Sequence, residues 1–487
     1  MKKFITPILI FVLISFFFRL YRAPDLFLYS HDQDLIGWFV KDIVHGNFRL
    51  IGQETSTSGI YIGPYFYYFL VPFYLLFGMD PIGGVFAVSI LGALTTFSFY
   101  IVFKKIFSID AGYLAAFFHS TSYFLSINER EVVPTQPLFL LFCIWFFYGI
   151  YLIFKNNNFG YLLIGLLVGL IWHVNMGLIL LIPLVFISIL LSKKIPSKKS
   201  ILYFTVSSLF GLLPLILFEL RNNFLQSRYL FLSVTTSQSD TVYNATKLER
   251  TLYLAYKNIT NLFIGQSFNV SFWLPSLIIL LFFGFLIYKR VLNKNIASVL
   301  VGWILMVITF FANYSKILSE YYLNSLNFVW MLVIVMFILY LFGRKKLSLV
   351  GVFLVLFLSF VSVFRFISHP INASGYIQRK QIVNYINEDS KIHGYPCISI
   401  SYITQPGYNL GYRYLFYIKN MHVNLPASNS PVYTIVFPHS MVDKIDKSFG
   451  ALGLILPDYK KYENKKIDQS CSGENQNLTE PLFGYTN

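Results

Sequence analysis

The segment Tyr29-Ser30-His31-Asp32-Gln33-Asp34 sets two carboxylates beside an imidazole. Asp32 and Asp34 are candidates for a general base, because burial near lipid raises a carboxylate's proton affinity while a neighbouring cation lowers it. The same residues serve equally as a solvated loop with an N-cap for the amphipathic stretch Leu35 to Val44. His31, Asp32 and Asp34 also offer ligands to a divalent cation, although metal sites draw on more converging groups than one short loop supplies; no other cofactor is called for. Arg130 beside Glu131, and Arg221 beside Glu219, are fixed cations at the ends of apolar runs, suited to holding a phosphate. The competing reading is an interfacial arginine reaching to lipid headgroups. His173, in Trp172-His173-Val174-Asn175, either lines a polar groove near a helix end or donates a packing hydrogen bond. There is no Walker-type glycine loop and no dinucleotide fingerprint.

These groups are spaced by long apolar runs, and the runs decide how they are held. A chain of 487 residues that is 56% hydrophobic, 19% aromatic and only 12% charged cannot hide its apolar surface in water-soluble cores. Lipid is its main solvent. The runs, such as Leu138 to Phe154 and Leu349 to Phe364, approach the ~30 Å hydrocarbon thickness at 1.5 Å per helical residue. The net charge of +16 does not point to nucleic acid, since no basic stripe interleaves with exposed aromatics. The basic residues instead sit before the first run or between runs, at Lys2 and Lys3, Lys104 and Lys105, Lys155, Lys193 to Lys199, Lys289 to Lys294 and Arg344 to Lys346. That is the positive-inside pattern of cytoplasmic loops.

Eleven spans are expected, near 4–18, 83–103, 111–127, 135–154, 159–174, 176–192, 201–218, 272–288, 296–312, 325–343 and 348–367. The fold class is therefore an all-α polytopic membrane protein. The first run lacks a small-residue cleavage site and reads as an uncleaved helix. Tyr65 to Phe77, short and carrying Pro72, is placed in the interface or as a re-entrant segment, because counting it as a span would invert the basic loops. The outer face then receives residues 19–82, the 128–134 turn, the loop 219–271, the loop 313–324 and everything after Ile367. Residues 368–487 change to mixed polar sequence with strand-like runs at Cys397 to Tyr402 and Val432 to Phe437, which predicts a small extracytoplasmic α/β domain with a frayed end after Lys465. Cys397 and Cys471 fall there, where an oxidising face permits a disulfide. No internal repeat of the secondary-transporter kind is evident.

The first outer loop continues as His45-Gly46-Asn47, Leu50-Ile51-Gly52, Thr55-Ser56-Thr57-Ser58-Gly59 and Gly63-Pro64-Tyr65-Phe66-Tyr67-Tyr68. This order, after the acidic pair, resembles the membrane glycosyltransferases related to protein O-mannosyltransferases and the lipid A aminoarabinose transferase, whose common fold is the GT-C type. Asn128-Glu129-Arg130-Glu131 before Pro134, and Phe218-Glu219-Leu220-Arg221-Asn222, fit the same resemblance. It implies a bacterial inner (plasma) membrane enzyme with residues 1–367 as the transferase module and 19–82 as the catalytic loop. The implied donor is a polyprenyl-phosphate-linked monosaccharide; the implied acceptor is a glycolipid, a surface polysaccharide or a protein. Asp32 matches the expected base best, whereas Asp34, two residues on, departs from the commoner pattern. Arg130 and Arg221 would hold the donor phosphate, with Glu131 and Glu219 orienting them, and His173 would line the lipid-phosphate groove. Tyr67 and the aromatics around it would stack on sugar or prenyl groups, or form an interfacial belt. Transfer would invert the anomeric carbon. The competing class is a transporter of polysaccharide or lipid-linked oligosaccharide, which needs ionisable groups deep in its helices; here they are nearly absent.

Overall fold

The computed structural model describes residues 2–55, 57–235, 246–265, 273–316, 318–462 and 464–479. Parts of the expected outer loop 219–271, at 236–245 and 266–272, lie outside the described residues. A helix lies over each expected span: α1 (Lys2–Leu20), then, after the short α2 (Ala23–Leu26), α3 (His31–Val44) and α4 (Tyr65–Leu76), the helices α5 (Ile82–Ile106), α6 (Ile109–Thr121) with α7 (Tyr123–Glu129), α8 (Phe139–Phe154), α9 (Asn158–Val174), α10 (Ile182–Ser192) and α11 (Lys198–Arg221). Past α12 (Leu225–Thr235) and α13 (Lys247–Phe263) come α14 (Trp273–Tyr288), α15 (Lys294–Asn313), α16 (Ser325–Phe342) and α17 (Ser348–Ser368). Five of these, α5, α11, α15, α16 and α17, are long and apolar enough on their own to cross a membrane, and the other apolar helices are shorter. The molecule is a multi-pass membrane protein. Helix α4, at 12 residues, is about 18 Å long and falls short of the hydrocarbon thickness.

Close packing follows from small residues. Gly165 and Gly169 on α9 lie directly against the backbone of α11 at Phe204, Ser208 and Gly211, leaving no room for a side chain, and Ser208 donates to the Gly165 carbonyl at 2.9 Å. At the other side of the bundle a buried charge network ties α1 to α6 and α7. Arg19 donates to Glu129 at 2.5 Å, and Glu129 also meets His119 at 3.0 Å. All three are nearly inaccessible, so each supplies the counter-charge or hydrogen bond that burial demands of the others.

After α17 the chain forms α18 (Tyr376–Ile392), α19 (Arg413–Ile418) and a five-stranded sheet of β1 (Ile398–Thr404), β2 (Val423–Asn424), β3 (Val432–Phe437), β4 (Lys447–Phe449) and β5 (Leu452–Ile455), ordered β2-β1-β3-β5-β4. β1 is parallel to both neighbours; β3, β5 and β4 run antiparallel, with Ile435 opposite Leu454. The two strand-like runs of the sequence are β1 and β3. Ile382, Val383 and Ile386 of α18 pack into one hydrophobic cluster with Ile400, Tyr433 and Ile435, and the same cluster takes in Trp38, Phe39 and Val40 of α3. The sheet region thus shares its core with α3 and α4. The expected fraying after Lys465 does not hold through residue 479: α20 (Asn464–Ser470) and α21 (Gln476–Thr479) follow, Cys397 and Cys471 form a disulfide, and Asn475 and Asn477 donate to the Met421 and Arg413 carbonyls at 3.0 Å each.

Candidate active site

Ser30 opens α3, and the Gln33 side chain folds back to accept its backbone N–H at 3.0 Å. That cap fixes Asp32 in the first helical turn, at the positive end of the helix dipole. Asp32 stands open to a cavity of about 990 Å³ at the end of the bundle where α9 and α15 finish. Its carboxylate accepts a hydrogen bond from Gln53 Nε2 at 3.2 Å. Gln53 is held in turn by Tyr67, whose hydroxyl accepts from the Gln53 backbone N–H at 3.0 Å and donates to Gln53 Oε1 at 3.1 Å. Gly52 lies flat against the Tyr67 ring, where any side chain would collide. Tyr67 is fully buried and does not border the cavity, so its position suits supporting Gln53 and Asp32, with no face left for stacking.

Residues two apart on a helix point to opposite sides. Asp34 is accordingly buried away from the cavity, accepting hydrogen bonds from the Tyr29 hydroxyl and the Tyr414 backbone N–H, both at 3.0 Å. Burial pushes its carboxyl up to about 6, against the lowering effect of those two hydrogen bonds and of Arg379 and Arg413. Tyr414, Arg379 and Arg413 belong to the sheet region, whose loop at Gly411 (φ +85°) rests on the Ser30 backbone. His31 is half-buried and is not part of the cavity wall. Among the described residues no group of three or more His, Cys, Asp or Glu is arranged to hold a metal. Asp32, turned to Gln53, and Asp34, turned to Tyr414, do not converge.

Among the described residues two more carboxylates line the cavity, Glu54, which accepts the Gly59 backbone N–H, and Glu131. Burial raises the pKa of Glu131 to about 7, the charge of Asp32 adds to the rise and Arg130 opposes it. Arg130 itself points elsewhere, donating to the Tyr21 carbonyl at 3.3 Å. The cavity's cation among the described lining residues is Lys316, which the sequence reading passed over. Its loop is pinned from α13: Arg250 donates to the Lys316 carbonyl at 3.1 Å and the Tyr314 carbonyl at 2.9 Å, and Lys247 donates to Ser315 Oγ at 2.7 Å. Tyr321, Tyr322 and Trp172 add aromatic wall.

The remaining expected residues sit apart from this cavity. His173 stacks on Tyr65 at a centroid distance of 4.1 Å, and its Nε2 lies 3.0 Å from the Gly211 carbonyl, so it packs α9 against α11 while its neighbours Trp172 and Asn175 face the cavity. Glu219 accepts the backbone N–H groups of Gln226 and Ser227 at 2.9 and 3.1 Å, closing the corner between α11 and α12, and lines a separate apolar pocket of about 270 Å³. Arg221 is exposed and lines neither.

Residues 62–218, about a third of the chain, match the family model of dolichyl-phosphate-mannose-protein mannosyltransferase. Among curated proteins no sequence matches the chain. The fold is similar to that of ArnT from Cupriavidus metallidurans in the apo state, with TM-score 0.64 and 10% identity over 95% of this chain and 99% of that one. ArnT bound to undecaprenyl phosphate aligns with TM-score 0.60 and 11% identity, over 92% and 97%. The fold is thus of the GT-C glycosyltransferase kind, and the resemblance drawn from the first outer loop is borne out in the fold and in a matched segment that begins inside that loop.

Proposed function

We propose that this chain transfers a monosaccharide from a polyprenyl-phosphate donor to a hydroxyl of a glycolipid, surface glycan or protein, with inversion. The observation that carries the reading is the cavity of about 990 Å³ in which Asp32 and Glu131 share the wall with Lys316. A sugar on polyprenyl phosphate already carries a good leaving group. The enzyme must remove the acceptor proton, align the oxygen behind C1 and stabilise the departing phosphate. In this reading the Asp32 carboxylate takes the acceptor proton, the acceptor oxygen bonds to C1, and the C1–O bond breaks to release polyprenyl phosphate beside Lys316. Glu131, poised near neutrality, donates a hydrogen bond in its acid form. Asp34 acts through α3 as a positioning residue. That ArnT has been seen with undecaprenyl phosphate supports the carrier class.

The basic loops fall at the ends of α5, α8, α10, α14 and α16, opposite the cavity. Positive-inside orientation then makes the cavity extracytoplasmic in the inner membrane, with residues 1–367 as the transferase module and 368–487 as a domain seated on its catalytic loop. The transporter reading has no comparable support: Arg19, His119 and Glu129 pair with one another instead of lining a path. The test is donor class. Purified protein should release sugar from radiolabelled polyprenyl-phosphate monosaccharides and leave nucleotide sugars intact; turnover of the nucleotide sugar alone would refute the assignment.

A further inference from the structure

Outside the cavity, at the same end of the bundle, the ends of α1, α7 and α17 gather cations around Tyr123. The Arg365 guanidinium carbon lies 4.3 Å from the Tyr123 ring centre, and His369 Nδ1 is 2.5 Å from the Tyr123 hydroxyl. Arg22, Arg130 and Arg365 all bear electrostatically on His369, whose pKa is lowered first by burial and then by these three charges. None of these residues borders the cavity.

Two of the arginines are unusual. Arg130 is 3% exposed and Arg365 is 8% exposed. Each donates to a single backbone carbonyl, of Tyr21 at 3.3 Å and of Asn261 at 2.8 Å, and among the described residues neither has a carboxylate at ion-pair distance. Arg19, equally buried and one helix turn deeper, has Glu129. A buried guanidinium with no counter-charge in contact is strongly unfavourable, so the cluster is short of an anion. The nearby acids supply it only in part: Asp25 pairs with the partly exposed Arg22 at 3.6 Å, and Glu131, whose charge bears on Arg130, lines the cavity and makes no ion pair with it. Beside the cluster, Phe17, Phe364 and Ile367 present apolar surface outward, at 59%, 43% and 73% exposure.

We propose that Arg22, Arg130, Arg365 and His369 form a seat for the phosphate of an anionic membrane lipid whose chains run along Phe17, Phe364 and Ile367. A lipid fits better than a free ion because the cations and the exposed apolar strip are continuous, as a headgroup above its acyl chains requires. The bound phosphate completes the charge balance at the ends of three helices and steadies the turn that carries Glu131.

The test is independent of transfer activity. Wild type and the Arg22→Gln/Arg365→Gln variant are taken from nanodiscs of equal phosphatidylglycerol and phosphatidylcholine, and retained lipid is read by native mass spectrometry. Wild type should favour phosphatidylglycerol about tenfold or more, and the variant should fall to near parity, since each interfacial arginine is worth about 1 kcal/mol toward an anionic lipid. Arg22→Gln alone, at a partly exposed site, should lose part of the preference. Parity in wild type, or full preference in the double variant, would overturn the seat. Displacement of the lipid by millimolar inorganic phosphate would replace it with a free-anion site, and displacement by equimolar polyprenyl phosphate with a carrier-lipid site.

Discussion

Asp32 and Asp34 differ by two positions and by nearly everything else. One is open to the cavity and hydrogen-bonded to Gln53; the other is buried against Tyr29 and Tyr414. Sequence spacing alone does not separate them, because which helix face meets the sheet region depends on residues 380 positions downstream. Lys316 escaped notice for a related reason: a lysine in a short loop between spans looks like any interfacial cation until Arg250 and Lys247 are seen holding its loop at the cavity. Tyr67 was legible as important but not in its role, since a tyrosine that supports a glutamine reads like one that stacks on sugar. Glu131 gives a residue-scale prediction. Its pKa is raised to about 7, so it is largely neutral below that pH and ionised above it. A polyprenyl-phosphate donor is anionic, and in the proposed site ionised Glu131 would repel it. Donor KM should therefore climb as pH rises through about 7, and Glu131→Gln should flatten that limb. Identical pH profiles in the two proteins would remove Glu131 from the donor site.

Elements were the most legible scale where apolar runs speak for themselves, as in α5, α11, α15, α16 and α17. The α3 helix was also readable from its cap and amphipathic pattern. Helix α13 was not found, although Thr246 and Glu249 form a capping box at its start; the polar loop around it drew attention away from that signal. The junction between α3 and the sheet region could not be read at all, since it rests on long-range packing of Trp38 with Tyr414 and Tyr417. Asp34 tests that junction. Its folded pKa of about 6 exceeds the ordinary value of 3.8, so its contribution to stability is fully present below about 3.8 and is lost as pH rises through about 6. A shift of that size corresponds to about 3 kcal/mol. Asp34→Asn, which keeps an acceptor oxygen, should match or exceed the wild-type unfolding temperature at pH 8, with the difference vanishing near pH 4. A wild type that gains stability between pH 5 and 8 through this site would contradict the burial argument.

At the scale of the whole molecule, extracytoplasmic transfer requires the cavity, the sheet region and the Arg-rich cluster on one side of the membrane and the basic loops on the other. Cysteines placed at positions 196 and 345 should react only from the cytoplasm, and one at 420 only from outside. The reverse at 420 would place the sheet region on the wrong face for an extracytoplasmic acceptor. The central claim is that this cavity performs sugar transfer with Asp32 as the base, and it is tested most directly by following label leaving a polyprenyl-phosphate sugar in purified membranes. Asp32→Asn keeps size and hydrogen bonding to Gln53 but cannot accept a proton at neutral pH. Transfer should fall by about 100-fold or more, in the range typical of general-base catalysis, with donor binding near normal and Asp34→Asn much milder. An Asp32→Asn protein that turns over the donor at the wild-type rate would contradict the mechanism.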